Sequence, residues 1–341
     1  MTARKTRDSN MELLRLVAML LIMMVHASYR ALPKPTPGSI ADDPLSAFLQ
    51  IAVESFTVVG VNVFVMLSGW YGIRLRWSRL LELLFQVVFF ALLCLGAVCV
   101  ATGSLPQGAA LSVLMLNEGD YWFVKTYVAL YLLSPVLNAF VQAASQRQMA
   151  VTLLSLFVFQ WVYGWVFQST AWLQNGFSLP SFACLYLLAR YMSVYRPAFT
   201  RLSARADLAL YVIICGLVAA ALFVLKWQLD LGGVLLFYSS PTVIAAAAFL
   251  LLFFSKLSLR SRGVNWLASS ALAVYLTHSN SYLCQYYDQA IRDWHADLSR
   301  PEFLLRCAVL MAVVFFGSIL IDKVRQALWS LVLRLSGKAQ Q

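Results

Sequence analysis

The sequence predicts an all-α, polytopic transmembrane helix bundle. Of its 341 residues, 61% are hydrophobic and only 12% are charged, whereas a soluble domain has about 45–50% apolar and about 25% charged residues. The apolar residues fall in runs long enough to cross a hydrocarbon core, which takes about 20 helical residues. The Lys and Arg residues gather at one set of ends of those runs. About ten spanning segments can be placed, near 12–32, 51–72, 80–101, 122–143, 150–168, 178–195, 207–227, 233–254, 266–286 and 303–322. No Pro/Gly/Ser linker or long charge run divides the chain, so 1–341 reads as a single membrane domain.

Each segment has its own justification. The first follows Arg4, Lys5 and Arg7 and resembles a signal peptide, but its apolar stretch is too long and lacks a small-x-small cleavage site. It reads as an uncleaved helix behind a cytoplasmic terminus, 1–11. The second ends in VNVFVMLSGWYGI, where Ser68 and Gly69 permit close packing and Asn62 needs a partner in the bundle. Arg74, Arg76 and Arg79 precede the third, and YWFVKTY opens the fourth. The fifth and sixth flank an outer loop with Trp172 and Phe177. Arg196, Arg201 and Arg205 precede the seventh, and the eighth runs up to Lys256, Arg260 and Arg262 before the ninth. After the tenth, KVRQALWSLVLRLSGK is basic and amphipathic, and 323–341 extends the helix or lies on the membrane surface.

With these positions most of the 26 Lys and Arg residues are cytoplasmic, Lys323, Arg325, Arg334 and Lys338 among them. Asp42, Asp43, Glu118, Asp120, Asp230, Asp288, Asp293 and Asp297 lie on the other side. Both termini are then cytoplasmic. The net charge of +11 follows from topology, so no nucleic-acid partner is expected. The six cysteines sit mostly in apolar runs without metal-ligand or disulfide spacing and read as free thiols. With three histidines, no metal site is expected.

Ionisable groups within spans are costly and mark candidate sites. Here they are Glu12, Arg15, His26, Glu54, Glu82, Lys125 and His278. At about 1.5 Å per residue, His26, Glu54, Lys125 and His278 come from four segments yet share the outer third of the membrane. Snorkelling side chains are the plainer account, most of all for Glu54 and Lys125. Arg15 and His26 are eleven residues apart, so they fall within about 20° of one helix face and about 16.5 Å along it. A cation near the cytoplasmic face can hold a phosphate while the histidine works deeper, and an extended pantetheine arm has about that length. Taken alone, Arg15 is equally a topology-setting arginine, and His26 equally a hydrogen-bonded bundle histidine. Arg74, Arg76 and Arg79 either anchor topology or form an anion mouth near Arg15.

Arg15, ten intervening residues and His26 resemble the R-x10-H signature of the acyltransferase-3 family of integral membrane acyltransferases. The wider frame SNMELLRLVAMLLIMMVH resembles its bacterial polysaccharide O-acetyltransferase branch. VGVNVFVMLSGWYGI resembles the family's helix 2 motif, with Asn62, Ser68 and Gly69 in place and Trp70 where Phe or Tyr is usual. YWFVKTYVALYLLSPVLN resembles the helix 4 motif, with Trp122, Tyr127, Tyr131 and Asn138. AVYLTHSN resembles the late tyrosine–histidine segment, with Tyr275 and His278. The chain looks like the stand-alone transmembrane form, without the extra extracytoplasmic domain of some members.

The resemblance implies an O-acetyltransferase of the bacterial inner membrane. It would move acetyl from cytoplasmic acetyl-CoA to a hydroxyl of a surface polysaccharide or lipid-linked oligosaccharide. It carries over His26 as the essential residue and Arg15 as a donor-site residue. Beside them, Arg74, Arg76, Arg79 and Ser68 are expected near the donor. Asn62, Lys125 and His278 are expected near the acceptor. His26 would act as general base or as transient acyl acceptor, with Glu54 orienting it or balancing its charge. Lys125, Asn62 and Ser68 all remain possible oxyanion donors. Trp165, Trp172, Phe177 and Tyr282 either stack on sugar rings or form an aromatic belt. A transporter or flippase for a lipid-linked sugar is the alternative, with the buried ionisable residues as its path.

Overall fold

The computed structural model describes residues 8–117, 120–229 and 233–335. Arg4, Lys5, Arg7, Glu118, Asp230 and Lys338 of the charge pattern lie outside the described residues. Within them the regular elements are all helical. They are α1 (Ser9–His26), α2 (Pro37–Asp42), α3 (Pro44–Thr57), α4 (Gly60–Tyr71), α5 (Trp77–Thr102), α6 (Ala109–Val113), α7 (Trp122–Ala143), α8 (Gln146–Gln160), α9 (Leu179–Tyr195), α10 (Ala204–Leu229), α11 (Pro241–Ser255), α12 (Arg262–Ala268), α13 (Ala271–His278), α14 (Cys284–Asp297) and α15 (Arg300–Leu335). A π-turn, Ala27–Ala31, continues α1, and another, Trp161–Val166, continues α8.

Among the described residues, eight stretches are long and apolar enough to cross a membrane, and the chain is a polytopic helical bundle. Three expected segments differ in a way that matters. The second span begins at Pro44, not near 51, because Asp43 caps it by accepting the Ser46 N–H (3.0 Å) and proline suits the first turn. Glu54 therefore lies about 15 Å along the helix from its start. The segment near 178–195 is α9, a helix of 17 residues. It starts behind the Ser178 cap with Pro180 in its first turn and ends where Arg196 turns left-handed (φ 46°). The segment 266–286 is broken: α12 stops before Ser269, and α13 stops at His278. There Asn280 Oδ1 accepts the N–H groups of Tyr282 (3.0 Å) and Leu283 (3.3 Å) and offers the backbone an alternative to the helix. The residues after Asp322 continue α15 without a break to Leu335.

Contacts divide the chain into two compact units. The first takes in the described parts of Met1–Tyr29, Pro33–Leu75 and Phe123–Asn265. At its centre is α4, apolar on every side and buried from Gly60 to Leu67. It packs on α1, α9 and α11, while α10 covers α3 and α11. Two glycines set these distances. A Cβ on Gly60 would lie 2.8 Å from the Ala18 carbonyl, and one on Gly69 would lie 2.5 Å from the Tyr186 carbonyl. Without side chains there, the helices approach backbone to backbone. Gly69→Ala is expected to destabilise the fold by about 1–3 kcal/mol. Gly96→Ala, where nothing lies within 4 Å, should leave the fold as stable as before. Thermal unfolding of both variants in detergent checks this.

In α7, Pro135 removes the N–H that would bond the Tyr131 carbonyl, and the Ser134 hydroxyl takes that carbonyl instead (2.7 Å), so the helix runs on.

The second unit takes in Arg30–Leu32, Arg76–Trp122 and the described part of Trp266–Gln341. Here α13 packs on α5 and α15, and α14 packs on α15. Asp322 is fully buried and accepts from Gln86 (2.9 Å), Arg325 Nε (2.6 Å) and Gln326 (2.8 Å). Arg325, one of the charges expected on the cytoplasmic side, is only 2% exposed. A buried guanidinium needs a charged partner, and Asp322, one helical turn earlier, supplies it.

Candidate functional site

The candidate residues are divided between the two units. Arg15, His26, Glu54, Asn62, Ser68, Arg74 and Lys125 belong to the first, and Arg76, Arg79 and His278 to the second.

Along α1 the backbone is uninterrupted from Ser9 to His26, so Arg15 and His26 stay on one helix face about 16.5 Å apart. Around Arg15 the structure builds a polar end. Arg15 forms an ion pair with Glu12 on the preceding turn. The Tyr71 hydroxyl donates to Asp8 Oδ2 (2.9 Å). The hydroxyls of Ser68 in α4 and Tyr127 in α7 share a hydrogen bond (3.0 Å), and Arg15 lies within electrostatic reach of Tyr127.

The chain then leaves α4 through a turn pinned from three sides. Gly72 takes φ 76°, which costs glycine nothing. Arg190 donates to the Trp70 carbonyl (3.2 Å), Asn138 to Ile73 (2.6 Å) and Tyr131 to Arg74 (3.2 Å). The Tyr186 hydroxyl accepts the Ile73 N–H (3.0 Å) and donates to Asn138 Oδ1 (2.7 Å). Arg74 is thus an exposed side chain on an immobilised backbone. Arg76 and Arg79 are exposed in the second unit, and Arg79 pairs with Glu82 (2.8 Å).

At the other end, His26 is the last residue of α1 before the π-turn. Such turns occur often at functional sites. Two residues on, the Ser28 hydroxyl donates to Glu54 Oε1 (2.9 Å) and ties α3 to the end of α1. Lys34 and Lys226 lie within electrostatic reach of Glu54. Asn62 is fully buried in α4 and donates to the Tyr238 carbonyl (2.9 Å), while its Oδ1 accepts no hydrogen bond among the described residues. Lys125 is half-buried in the first turn of α7. Of the aromatic candidates, Trp165 donates to the Val234 carbonyl (2.8 Å), and Phe177 meets Tyr238 edge-on at 5.2 Å.

His278, buried at the end of α13, has Nδ1 at 2.6 Å from the Val274 carbonyl. A carbonyl only accepts, so Nδ1 carries the proton. Arg30 donates to the His278 carbonyl (3.3 Å) and to Asp288 Oδ1 (3.2 Å). Burial pushes the Asp288 carboxyl above the ordinary carboxylate range, and Arg30 and Arg292 act against that rise. Tyr121 donates to the Leu276 carbonyl (2.7 Å) and accepts from Asn280 (2.8 Å), which holds the residues on either side of His278.

Sequence reasoning missed Ser28, Tyr127 and Arg30, which the structure brings to Glu54, Ser68 and the His278 carbonyl. Tyr127 was visible as a motif residue, and Arg30 as an outer charge. The π-turn that carries Ser28 and Arg30 leaves no mark in the hydrophobic pattern.

The profile of an acyltransferase domain, acyltransferase-3, fits residues 8–323. No curated protein and no solved structure matches the chain.

Proposed function

The chain belongs to the acyltransferase-3 family, and from that premise we propose that it transfers acetyl from cytoplasmic acetyl-CoA to a hydroxyl of a surface glycan or its lipid-linked precursor. The observation that carries this reading is the unbroken α1 with Arg15 and His26 on one face. That spacing matches a donor whose phosphates lie at the Arg15 end and whose thioester reaches His26. Arg74, fixed on its turn, adds a second cation in the same unit. Ser68 and Tyr127 offer hydroxyls along the donor's path.

In the reaction, the acceptor oxygen forms its bond to the acetyl carbon as the carbon–sulfur bond breaks. The hydroxyl proton passes through the His26 imidazole to the departing thiolate. Alternatively, His26 takes the acetyl group first and then yields it to the hydroxyl. Glu54, held by Ser28, counters the imidazolium charge. Asn62 Oδ1, buried and without a donor among the described residues, suits an N–H or O–H of the substrate.

The test is direct. Purified protein given acetyl-CoA and the surface polysaccharide of its host should release free thiol and add about 42 Da per modified repeat, the mass of an acetyl group in place of a proton. A flippase would consume no acetyl-CoA, and absence of thiol release with every glycan tried would overturn the reading.

A further inference from the structure

Two buried donors in the second unit have no partner among the described residues: Arg30 Nε and the Tyr287 hydroxyl. They belong to one cluster. Arg30 spends a terminal nitrogen on the His278 carbonyl (3.3 Å) and Asp288 Oδ1 (3.2 Å), and this leaves its Nε–H over. Arg30 and Asp288 both act electrostatically on Tyr287. The Tyr287 ring lies 6.2 Å from that of His278. Tyr287 is 6% exposed and the Arg30 side chain keeps 25% of its surface, while the two donor atoms themselves are buried. Buried donors are rarely left unmade without a reason.

We propose that Arg30 and Tyr287 form a hydroxyl-binding subsite for the carbohydrate acceptor, a proposal that rests on the acyltransferase reading above. Each of the two donors calls for an acceptor oxygen. A sugar hydroxyl meets that need. A carboxylate does not, because Asp288 already pairs with the guanidinium and would repel a second anion. Arg30 stands four residues after His26 on the turn that ends α1. Asp288 and the His278 carbonyl act as positioning groups, since they hold the guanidinium by its terminal nitrogen and present Nε.

The experiment uses the full chain in detergent with Tyr287→Phe, which removes only the hydroxyl, and Arg30→Lys, which keeps the charge but loses Nε. Initial rates of thiol release are measured against the concentration of oligosaccharides cut from the host's surface polysaccharide. Each variant should raise the acceptor KM about five- to tenfold, the worth of one hydrogen bond, with the KM for acetyl-CoA unchanged. In parallel, the same oligosaccharides should raise the unfolding temperature of the wild type more than that of either variant. An unchanged acceptor KM and an equal thermal shift in both variants would overturn the subsite and leave the two donors to ordered water. If the wild type released no thiol at all, the acyltransferase reading would fail separately, and the thermal shift would still judge whether Arg30 and Tyr287 hold a sugar.

Discussion

His26→Ala is expected to cut acetyl transfer by at least about 10³-fold, the middle of the range for loss of a general acid–base group. Insertion and thermal unfolding should remain close to the wild type. His26 closes α1 at the point where the helix widens into a π-turn. A structural role alone would cost stability and leave turnover nearly intact. Thiol release from acetyl-CoA, alongside a melting curve of the same preparation, separates these outcomes. Wild-type-like turnover in the variant would remove His26 from the mechanism. Mass analysis of the wild type, quenched with acetyl-CoA before acceptor is added, then chooses between base and acyl carrier. A peptide containing His26 and heavier by about 42 Da, an acetyl group in place of a hydrogen, supports the carrier.

Arg15→Ala is expected to raise the KM for acetyl-CoA about 10- to 100-fold, as for a charge-assisted contact to phosphate. The acceptor KM should change little. Arg15 is paired with Glu12, so the donor must displace or share that partner. Glu12→Gln removes the competing anion and should leave donor affinity equal to or tighter than that of the wild type. A large loss of affinity for the glycan with an unchanged KM for acetyl-CoA would reverse the assignment of Arg15.

Much of the helical plan was legible in the sequence. Segment 122–143 coincides with α7, because its mostly apolar stretch starts at Trp122 and the helix continues past Pro135. The eleven-residue spacing of Arg15 and His26 could be read as one face because helix geometry alone determines it. The breaks were not legible. Residues 266–286 are apolar enough for a span, and the interruption depends on hydroxyls and amides near Ser269 and Asn280 that compete for the backbone. The partners of the site were also hidden. Ser28 meets Glu54 across 26 residues, Asn138 meets Ile73 across 65, and Arg30 meets Asp288 across 258. Such contacts arise from tertiary packing and leave no local periodicity. Arg325 shows the converse, a cation that looks cytoplasmic by position but is buried because its ion partner precedes it by one turn.

The pinned turn after α4 has a consequence for how an anion would be received there. Loops that grip a phosphate commonly surrender conformational entropy when they close, about 1–2 kcal/mol for each backbone residue ordered. Here the carbonyls of Trp70, Ile73 and Arg74 and the N–H of Ile73 are already engaged by Arg190, Asn138, Tyr131 and Tyr186. The backbone beneath Arg74 is preorganised, and only the side chain's own rotamers remain to be ordered when a ligand arrives.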